Sequence, residues 1–172
     1  APKQYKELPH VRLLTSTPAE EYLFRRGIRK EVTRAYGITT SPRDENQLIF
    51  PFYRRQQDAD GKVYEKMEFV KYRLIDYDKS RHKAKEWCES ECKPILFGMD
   101  HCDPAKSRTL VITEGQIDSL SLASAGIPNA VSVPNGARGF TWVEHCKDFV
   151  AQFDTVVVFG DCERGSITLV NE

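Results

Sequence analysis

Apolar residues near the start of the chain recur at helical spacing. Residues 16–18, Ser-Thr-Pro, are followed by an alanine, two glutamates and an apolar pair. This order predicts a helix start with proline in its first turn. The helix should end at Gly27. A second short helix is predicted from near Arg29 to Gly37.

The pattern changes from helical spacing to alternation at about residue 46. Residues 48–53 are strand-like, and residues 58–61 (Asp-Ala-Asp-Gly) form a turn signal. Residues 63–74, VYEKMEFVKYRL, alternate again, so a hairpin or a small antiparallel sheet is expected. Residues 76–106 are polar and should be mostly loop, with a short buried segment at 94–98.

A third pattern, typical of α/β proteins, begins at residue 109. Strands and helices are predicted to alternate there, at residues 110–113, 116–125, 130–133, 141–153 and 155–159. Because helices connect the strands, the sheet should be parallel with right-handed crossovers. The run TVVVF at 155–159 is expected to be a central strand. The chain stops soon after it, so a further strand and helix are expected to be missing.

The predicted fold class is therefore an α+β N-terminal part, with helices and a small antiparallel sheet, followed by an α/β part with a mostly parallel sheet. We place the two parts at residues 1–106 and 107–172. A chain of 172 residues that is 40% hydrophobic can form one domain or two small ones. No apolar run approaches 18 residues and no signal-peptide core is present, so we expect a soluble, cytoplasmic protein without a membrane partner.

The formal net charge of zero hides an asymmetry along the chain. Residues 1–108 hold 22 Lys and Arg against 17 Asp and Glu, whereas residues 109–172 hold 3 against 8. A basic part joined to an acidic part suits a protein that grips a polyanion beside an acidic metal site. Chance asymmetry between two ordinary surfaces is the alternative.

Three carboxylates follow predicted strand ends. Glu114 comes after the first strand of the α/β part, and Asp161 and Glu163 follow the last. Open parallel sheets bind ligands at these ends, where the three charges would repel one another without a cation. Mg²⁺ suits such oxygen ligands, and Gly115 would permit the turn that presents Glu114. The alternative for Asp161 and Glu163 is that they are ordinary turn residues.

Basic and amide side chains could supply a phosphate-binding counterpart. Lys71 and Arg73 lie two apart on a predicted strand, so both can face the same polyanion. A solvated edge strand, whose charges discourage aggregation, is the alternative. Asn135 and Arg138 lie in a loop at another strand end and are further candidates for phosphate contact.

The five cysteines are an odd number without a secretory signal, which favours reduced thiols. Cys88, Cys92 and Cys102 lie near two histidines, but their spacing fits no common zinc ribbon. Zinc is therefore not expected within this chain. No P-loop pattern is present, so no helicase motor is expected in these residues.

Three segments in order, VITEGQIDSLSL, AVSVPNGARG and VVVFGDCERG, resemble the Toprim domain of primases, topoisomerases and related nucleases. Upstream segments are similar to the primase half of phage-type primase–helicases, relatives of the mitochondrial replicative helicase. These segments are Tyr22-Leu23 with Arg26-Gly27-Ile28, then Phe50-Pro51-Phe52-Tyr53, Gly61 and Lys71-Tyr72-Arg73. The resemblance covers roughly residues 18 to 165.

The resemblance implies roles for individual residues. Glu114 matches a glutamate proposed as general acid/base or metal-associated group, and Asp161 matches the first aspartate of a metal-binding pair. Glu163 stands where a second aspartate is usual, which keeps the charge but lengthens the side chain. Asp118 matches an acid expected to orient the site or cap backbone donors. Lys71 and Arg73 match residues that face nucleotide phosphates or the template.

The implied function is that of a DNA primase core. It would make short RNA primers on a single-stranded DNA template from ribonucleoside triphosphates, using Mg²⁺ or Mn²⁺. A replicative helicase domain would act with it, in cis or in trans, in a phage or prophage replication system. A Toprim-type nuclease and a non-catalytic module that binds single-stranded nucleic acid are the alternatives. The chain ends before a further acidic position of the family, which puts its activity by itself in doubt.

Overall fold

The computed structural model describes residues 1–135 and 139–160, together with the backbone of two short strands beyond them. Its α-helices are α1 (Thr17–Arg25), α2 (Lys30–Ala35), α3 (Gln116–Ser124) and α4 (Val143–Val150), and Met99–His101 forms a 3₁₀ turn. Its strands are β1 (Thr39–Ser41), β2 (Asp44–Gln57), β3 (Val63–Leu74), β4 (Glu86–Cys88), β5 (Thr109–Thr113), β6 (Ala130–Ser132), β7 (Thr155–Phe159), β8 (Cys162–Glu163) and β9 (Ser166–Ile167). Across these described residues, no helix has the length and apolar character needed to cross a membrane.

The two N-terminal helices confirm the sequence prediction. Ser16 caps α1, since its side-chain oxygen accepts a hydrogen bond from the Ala19 amide at 3.4 Å. Ala19 and Leu23 are fully buried and fix the helix against the core. The shorter α2 contacts α1 and α3, and α1 also contacts β1 of the antiparallel sheet.

The first sheet is antiparallel, in the order β1-β2-β3-β4. The predicted hairpin is confirmed as β2 and β3. β3 has the predicted bounds, whereas β2 is longer than expected and the pairing shifts register between Phe52 and Tyr53. The three-residue strands β1 and β4 were not predicted, because three residues are too few to show alternation. β4 matters for the site, since its pairing makes β3 an interior strand.

The second sheet is parallel, in the order β6-β5-β7, with helices in the connections as predicted. The expectation that residues 155–159 form a central strand is wrong for the part of the chain described. There β7 pairs only with β5, and all five of its residues are exposed, Phe159 by 57%. A β-branched and aromatic run favours a strand but does not distinguish a central strand from an edge strand.

The segment at 94–98 joins the two sheets, and its predicted burial is confirmed. The Phe97 amide donates to the Ser132 carbonyl at 2.9 Å, and the Ser132 amide donates to the Phe97 carbonyl at 3.1 Å. The Phe97 ring lies edge-on to Phe50 and Phe52 of β2. Gly98 follows with φ of +89°, and a Cβ there would meet the Tyr36 ring at 3.1 Å. The two sheets therefore share one hydrophobic core, while the boundary at residue 107 stays a prediction.

Candidate active site at the strand ends

The carboxyl ends of the three parallel strands meet at one edge of the sheet. Thr113, the last residue of β5, is in register with Ser132 of β6 and Phe159 of β7. β5 lies in the middle, and the chain leaves it through α3 towards β6 and later returns to the other side as β7. The end of β5 is thus a topological switch point, where open parallel sheets form their ligand sites.

Glu114 lies half-buried at this switch point, between the end of β5 and the start of α3. The surrounding turn is fixed by hydrogen bonds: the Thr113 hydroxyl lies 3.0 Å from the Gly115 carbonyl oxygen, and Gln116 Nε2 donates to the Val133 carbonyl at 2.8 Å. Gln116 is buried, so this bond also ties α3 to the chain that follows β6. The backbone around Glu114 is therefore held from both neighbouring segments.

The turn that presents Glu114 was predicted to require glycine at position 115, but the backbone there does not. Its φ of −105° and ψ of 150° are extended backbone angles that any residue adopts, so no turn there requires glycine. A Cβ at this position would instead lie 2.9 Å from Oδ2 of Asp118. A side chain at position 115 would therefore require the Asp118 carboxylate to move.

Asp118 lies in the first turn of α3 and is exposed. The spacing of four residues between Glu114 and Asp118 predicts a shared helix face, but α3 begins only at Gln116, so Glu114 precedes the helix. The carboxylate nevertheless folds back over Gly115, the neighbour of Glu114. Negative charge at a helix N-terminus is favourable, which stabilises this position. Its proposed role in orienting the site stays a prediction.

A basic wall faces this strand end from the antiparallel sheet. Lys71 and Arg73 on β3 both contact Glu86 of β4, with Lys71 Nζ 3.6 Å from Oε2 and Arg73 Nη1 2.9 Å from Oε1. Lys71 is only 7% exposed although it carries a charge. The alternative of a solvated edge strand is therefore wrong, because β4 covers the outer edge of β3 along these residues.

A small cavity of about 90 Å³ lies between the basic wall and the switch point. We call it the strand-end cavity; it is lined by Arg26, Phe50, Lys71, Arg73, Glu86 and residues 115–118. Nε of Arg73 is buried and has no hydrogen-bond partner in the described part of the chain. A buried donor without a partner is costly, so an acceptor brought by a ligand would stabilise it.

Two lining residues, Arg26 and Glu86, were missed as site residues by the sequence analysis. Arg26 caps the end of α1, where its Nη1 donates to the Tyr22 hydroxyl at 3.2 Å. Its only signal was its place in a segment of the family resemblance. Glu86 lies in a stretch predicted as loop and gave no signal, because its partners are 13 and 15 positions earlier in the sequence.

The remaining predicted site residues are placed only in part. Asn135 is exposed, and its Oδ1 accepts a hydrogen bond from Cys88 Sγ at 3.0 Å. Burial raises the pKa of the Cys88 thiol, partly offset by nearby Lys71, which favours the protonated donor form. Arg138 and Asp161 lie outside the described residues. Glu163 is described only through its backbone, in β8, paired with Ser166 of β9.

No group of three or more His, Cys, Asp or Glu side chains within the described residues is arranged to hold a metal ion. The predicted magnesium ligands include Asp161 and Glu163, whose side chains lie outside that part. Glu114 and Asp118 carry carboxylate oxygens, the type of ligand that Mg²⁺ prefers. Cys88, Cys92, Cys102 and Cys146 are free thiols.

No family model matches the chain. Two curated proteins of Arabidopsis thaliana are similar to it in sequence. The Twinkle homolog protein, chloroplastic/mitochondrial, is 31% identical over 90 residues, which covers 42% of this chain and 12% of that protein. The Primase homolog protein is 27% identical over 99 residues, which covers 49% of this chain and 29% of that protein. The chain thus spans less than a third of the length of either curated relative.

Solved primase structures match the fold. The Aquifex aeolicus primase, with its zinc-binding and RNA polymerase domains, aligns with a TM-score of 0.60 at 18% identity, over 84% of this chain and 42% of that one. The DnaG primase catalytic domain bound to single-stranded DNA aligns with a TM-score of 0.59 at 20% identity, over 86% and 55%. The chain has the fold of a DnaG-type primase catalytic core.

This primase-core fold confirms the resemblance to Toprim primases and the predicted fold class, with helices and an antiparallel sheet before a parallel sheet. The similarity to a Twinkle homolog agrees with the expected relation to the mitochondrial replicative helicase. The strand-end cavity lies where the two sheets of the primase-core fold face each other.

Proposed function

We propose that the chain is the catalytic part of a DNA primase, which joins ribonucleotides on a single-stranded DNA template. One observation carries this proposal: within a primase-core fold, Lys71 and Arg73 line the same cavity as the switch-point residues 115–118. Cations on one wall and the Asp118 carboxylate on the other suit a phosphate group with its bound magnesium ion.

The basic wall would bind and orient the incoming ribonucleoside triphosphate. Lys71 and Arg73 offer fixed positive charge, because Glu86 holds both side chains and burial excludes water from Lys71. The unpartnered Nε of Arg73 is available to donate to a phosphate oxygen.

The carboxylates that follow the strand ends would accept the proton and hold the metal ion during the reaction. The 3′-hydroxyl of the primer attacks the α-phosphate, and pyrophosphate leaves with the electron pair of the broken bond. We assign to Glu114 the acceptance of the hydroxyl proton or a share in holding Mg²⁺ or Mn²⁺, and assign metal binding also to Asp161 and Glu163. The metal, when bound, would neutralise charge on the phosphates.

The partners of this proposal are a single-stranded template, ribonucleoside triphosphates and a replicative helicase domain. Support comes from a similar core whose structure was determined with single-stranded DNA and from the similarity to a Twinkle homolog. A phage or bacterial origin and a cytoplasmic location remain part of the proposal.

The test is a synthesis assay with the protein, a single-stranded template, Mg²⁺ and labelled ribonucleotides, run beside a labelled DNA strand. Short RNA products that are lost in Glu114→Gln, but kept in the exposed control Glu31→Gln, would support the primase. Cleavage of the strand without synthesis would favour the nuclease. Neither activity, with DNA binding intact, would leave a binding module without chemistry.

A further inference from the structure

We propose that a groove beside the N-terminal segment binds single-stranded DNA next to the strand-end cavity, with one base stacked on Tyr5. The inference rests on the primase function proposed above and names a surface for its template. The N-terminal groove is a cavity of about 390 Å³ between residues 3–7, residues 66–68 of β3, and Lys93.

The groove continues towards the strand ends. A second cavity of about 370 Å³ shares Lys3 and Tyr5 with the first and extends to Cys88 and Asn135. Cys88 lies opposite Lys71 in the β3–β4 pairing, and Lys71 lines the strand-end cavity. Glu89, Glu91 and Glu144 also line the second cavity, so the excess of positive charge, and with it the proposed DNA contact, lies in the first cavity.

The first cavity carries more positive than negative charge, since Lys3, Lys6, Lys66 and Lys93 line it against Glu7 and Glu68. Glu68 is buried at the base, and Arg54 already pairs with it at 2.9 Å. Lys66 pairs with Glu7 at 3.4 Å, whereas Lys93 approaches its nearest carboxylate, that of Glu68, only at 3.8 Å. Lys3 is exposed and has no acidic partner in the part of the chain that the structure describes. Lys3 and Lys93 can therefore reach the phosphates of a polyanion.

Tyr5 provides the aromatic surface. Its hydroxyl lies 2.9 Å from Nε2 of His145, and the His145 ring packs edge-on against it at 5.2 Å. Nζ of Lys3 and of Lys93 lie 5.4 and 5.8 Å from the centre of the Tyr5 ring. A positioned aromatic ring flanked by cations is how proteins hold single strands without reading their sequence. An acidic peptide would use the lysines but gain little from the ring.

The first experiment measures binding of a labelled oligothymidylate at several salt concentrations. Lys3→Gln/Lys93→Gln should weaken binding by about tenfold and lower the slope of log Kd against log salt by about 0.7 for each lost phosphate contact. Lys79→Gln/Lys83→Gln, which removes two exposed lysines elsewhere, is the matched control. Equal binding by both double variants would overturn the proposal.

The second experiment separates base stacking from charge. Tyr5→Ala should weaken binding by about tenfold, whereas Tyr5→Phe, which keeps the ring, should bind nearly as well as the parent. An oligonucleotide carrying 5-iodouracil should crosslink to Tyr5 under light. Crosslinking elsewhere only, or equal binding by Tyr5→Ala and the parent in samples with unchanged circular dichroism, would contradict the stacking.

These measurements also distinguish the two proposals. If synthesis proceeds and the groove variants bind DNA normally, the groove is wrong and the primase stands. If the parent makes no RNA yet loses DNA binding on Tyr5→Ala, the groove is right and the primase is wrong.

Discussion

The strand-end cavity and the N-terminal groove both present lysines, but they hold them by different means. In the cavity, Lys71 is buried on an interior strand, and Glu86 fixes both Lys71 and Arg73. In the groove, Lys3 is exposed and Lys93 is half-buried, and their closest aromatic neighbour is Tyr5 at more than 5 Å. The charges are alike, but their freedom to move differs.

This difference indicates two kinds of ligand. Buried, paired cations are already oriented, so they can position one compact anion for a reaction. Mobile cations around an aromatic ring accommodate a polymer in several registers and give binding that depends on salt. We therefore expect substitutions in the cavity to change the rate of synthesis and those in the groove to change DNA affinity.

The largest effect is expected from Lys71→Met, which removes the buried charge and keeps most of the volume. Loss of a fixed cation from the reacting phosphates should lower kcat/KM for primer synthesis by about a hundredfold or more. DNA affinity should change little. Lys79→Met, at an exposed position, controls for the loss of a lysine. If Lys71→Met changes only DNA affinity, the distinction between cavity and groove fails.

The next effect concerns the base of the groove. Arg54→Met removes the closest partner of Glu68 and leaves a buried carboxylate with two lysines at 3.8 Å or more. The free energy of unfolding should fall by about 3 kcal/mol. Urea unfolding measures it, with Arg108→Met as a control that breaks an exposed pair with Asp154. Equal midpoints for the two variants would show that the pair does not anchor the groove.

Gly115→Ala tests the acidic side of the cavity. The added Cβ would displace the Asp118 carboxylate, since only 2.9 Å separates the two positions. Primer synthesis should fall roughly tenfold to a hundredfold, while the unfolding midpoint changes little because the short side chain can rotate away. In an Asp118→Ala background the same substitution should have no further effect. If Gly115→Ala still lowers primer synthesis in the Asp118→Ala background, the effect comes from the backbone and not from the Asp118 carboxylate.

Glu86→Gln tests whether Lys71 and Arg73 of the basic wall bind the triphosphate. Without the carboxylate, Lys71 and Arg73 no longer share their charge with Glu86 but also lose their anchor. We expect KM for the triphosphate and kcat both to fall, each by roughly two- to fivefold. Steady-state kinetics separates the two constants. An unchanged KM would mean that these cations do not bind the triphosphate.

Lowering the pH should weaken the stability contribution of the groove but not that of the strand-end cavity, because no histidine among the described residues lines the cavity. Burial lowers the pKa of His145, the partner of Tyr5, so the folded protein binds its proton less readily than the unfolded chain. Stability from this group is present above the unfolded value near 6.5 and declines as the pH falls below it. Urea midpoints from about pH 7.5 to about pH 5.5 should show a shallower decline in His145→Gln than in the parent. His10→Gln, at an exposed histidine, should follow the parent.

Local signals in the sequence predicted much of the fold. The Ser16 cap, the hairpin turn at residues 58–61 and the apolar runs that became β5 and β6 are all encoded within a few neighbouring residues. Each of these signals lies within a few neighbouring residues, so spacing alone reveals it. The edge position of β7 is not local information, because it depends on which other strands pair with it.

Prediction of the candidate site had the same limit: residues with a local signal were found, and residues placed by distant pairing were not. Lys71 and Arg73 were selected by their spacing on a strand, and Glu114 by its place at a strand end. Glu86 could not be found, since only the pairing of a three-residue strand brings it to them. The reason for Gly115 was also out of reach, because it depends on where the Asp118 side chain points.

The paired hydrogen bonds between Phe97 and Ser132 have a mechanical consequence. They fasten a segment packed on the antiparallel sheet to β6 of the parallel sheet, and the Phe97 ring fills the space between the two. A hinge motion that widened the strand-end cavity would have to break both bonds and expose that ring. The two bonds therefore resist a change in the separation of the cavity walls, and we expect a ligand to enter along the rim of the cavity rather than through a widened gap.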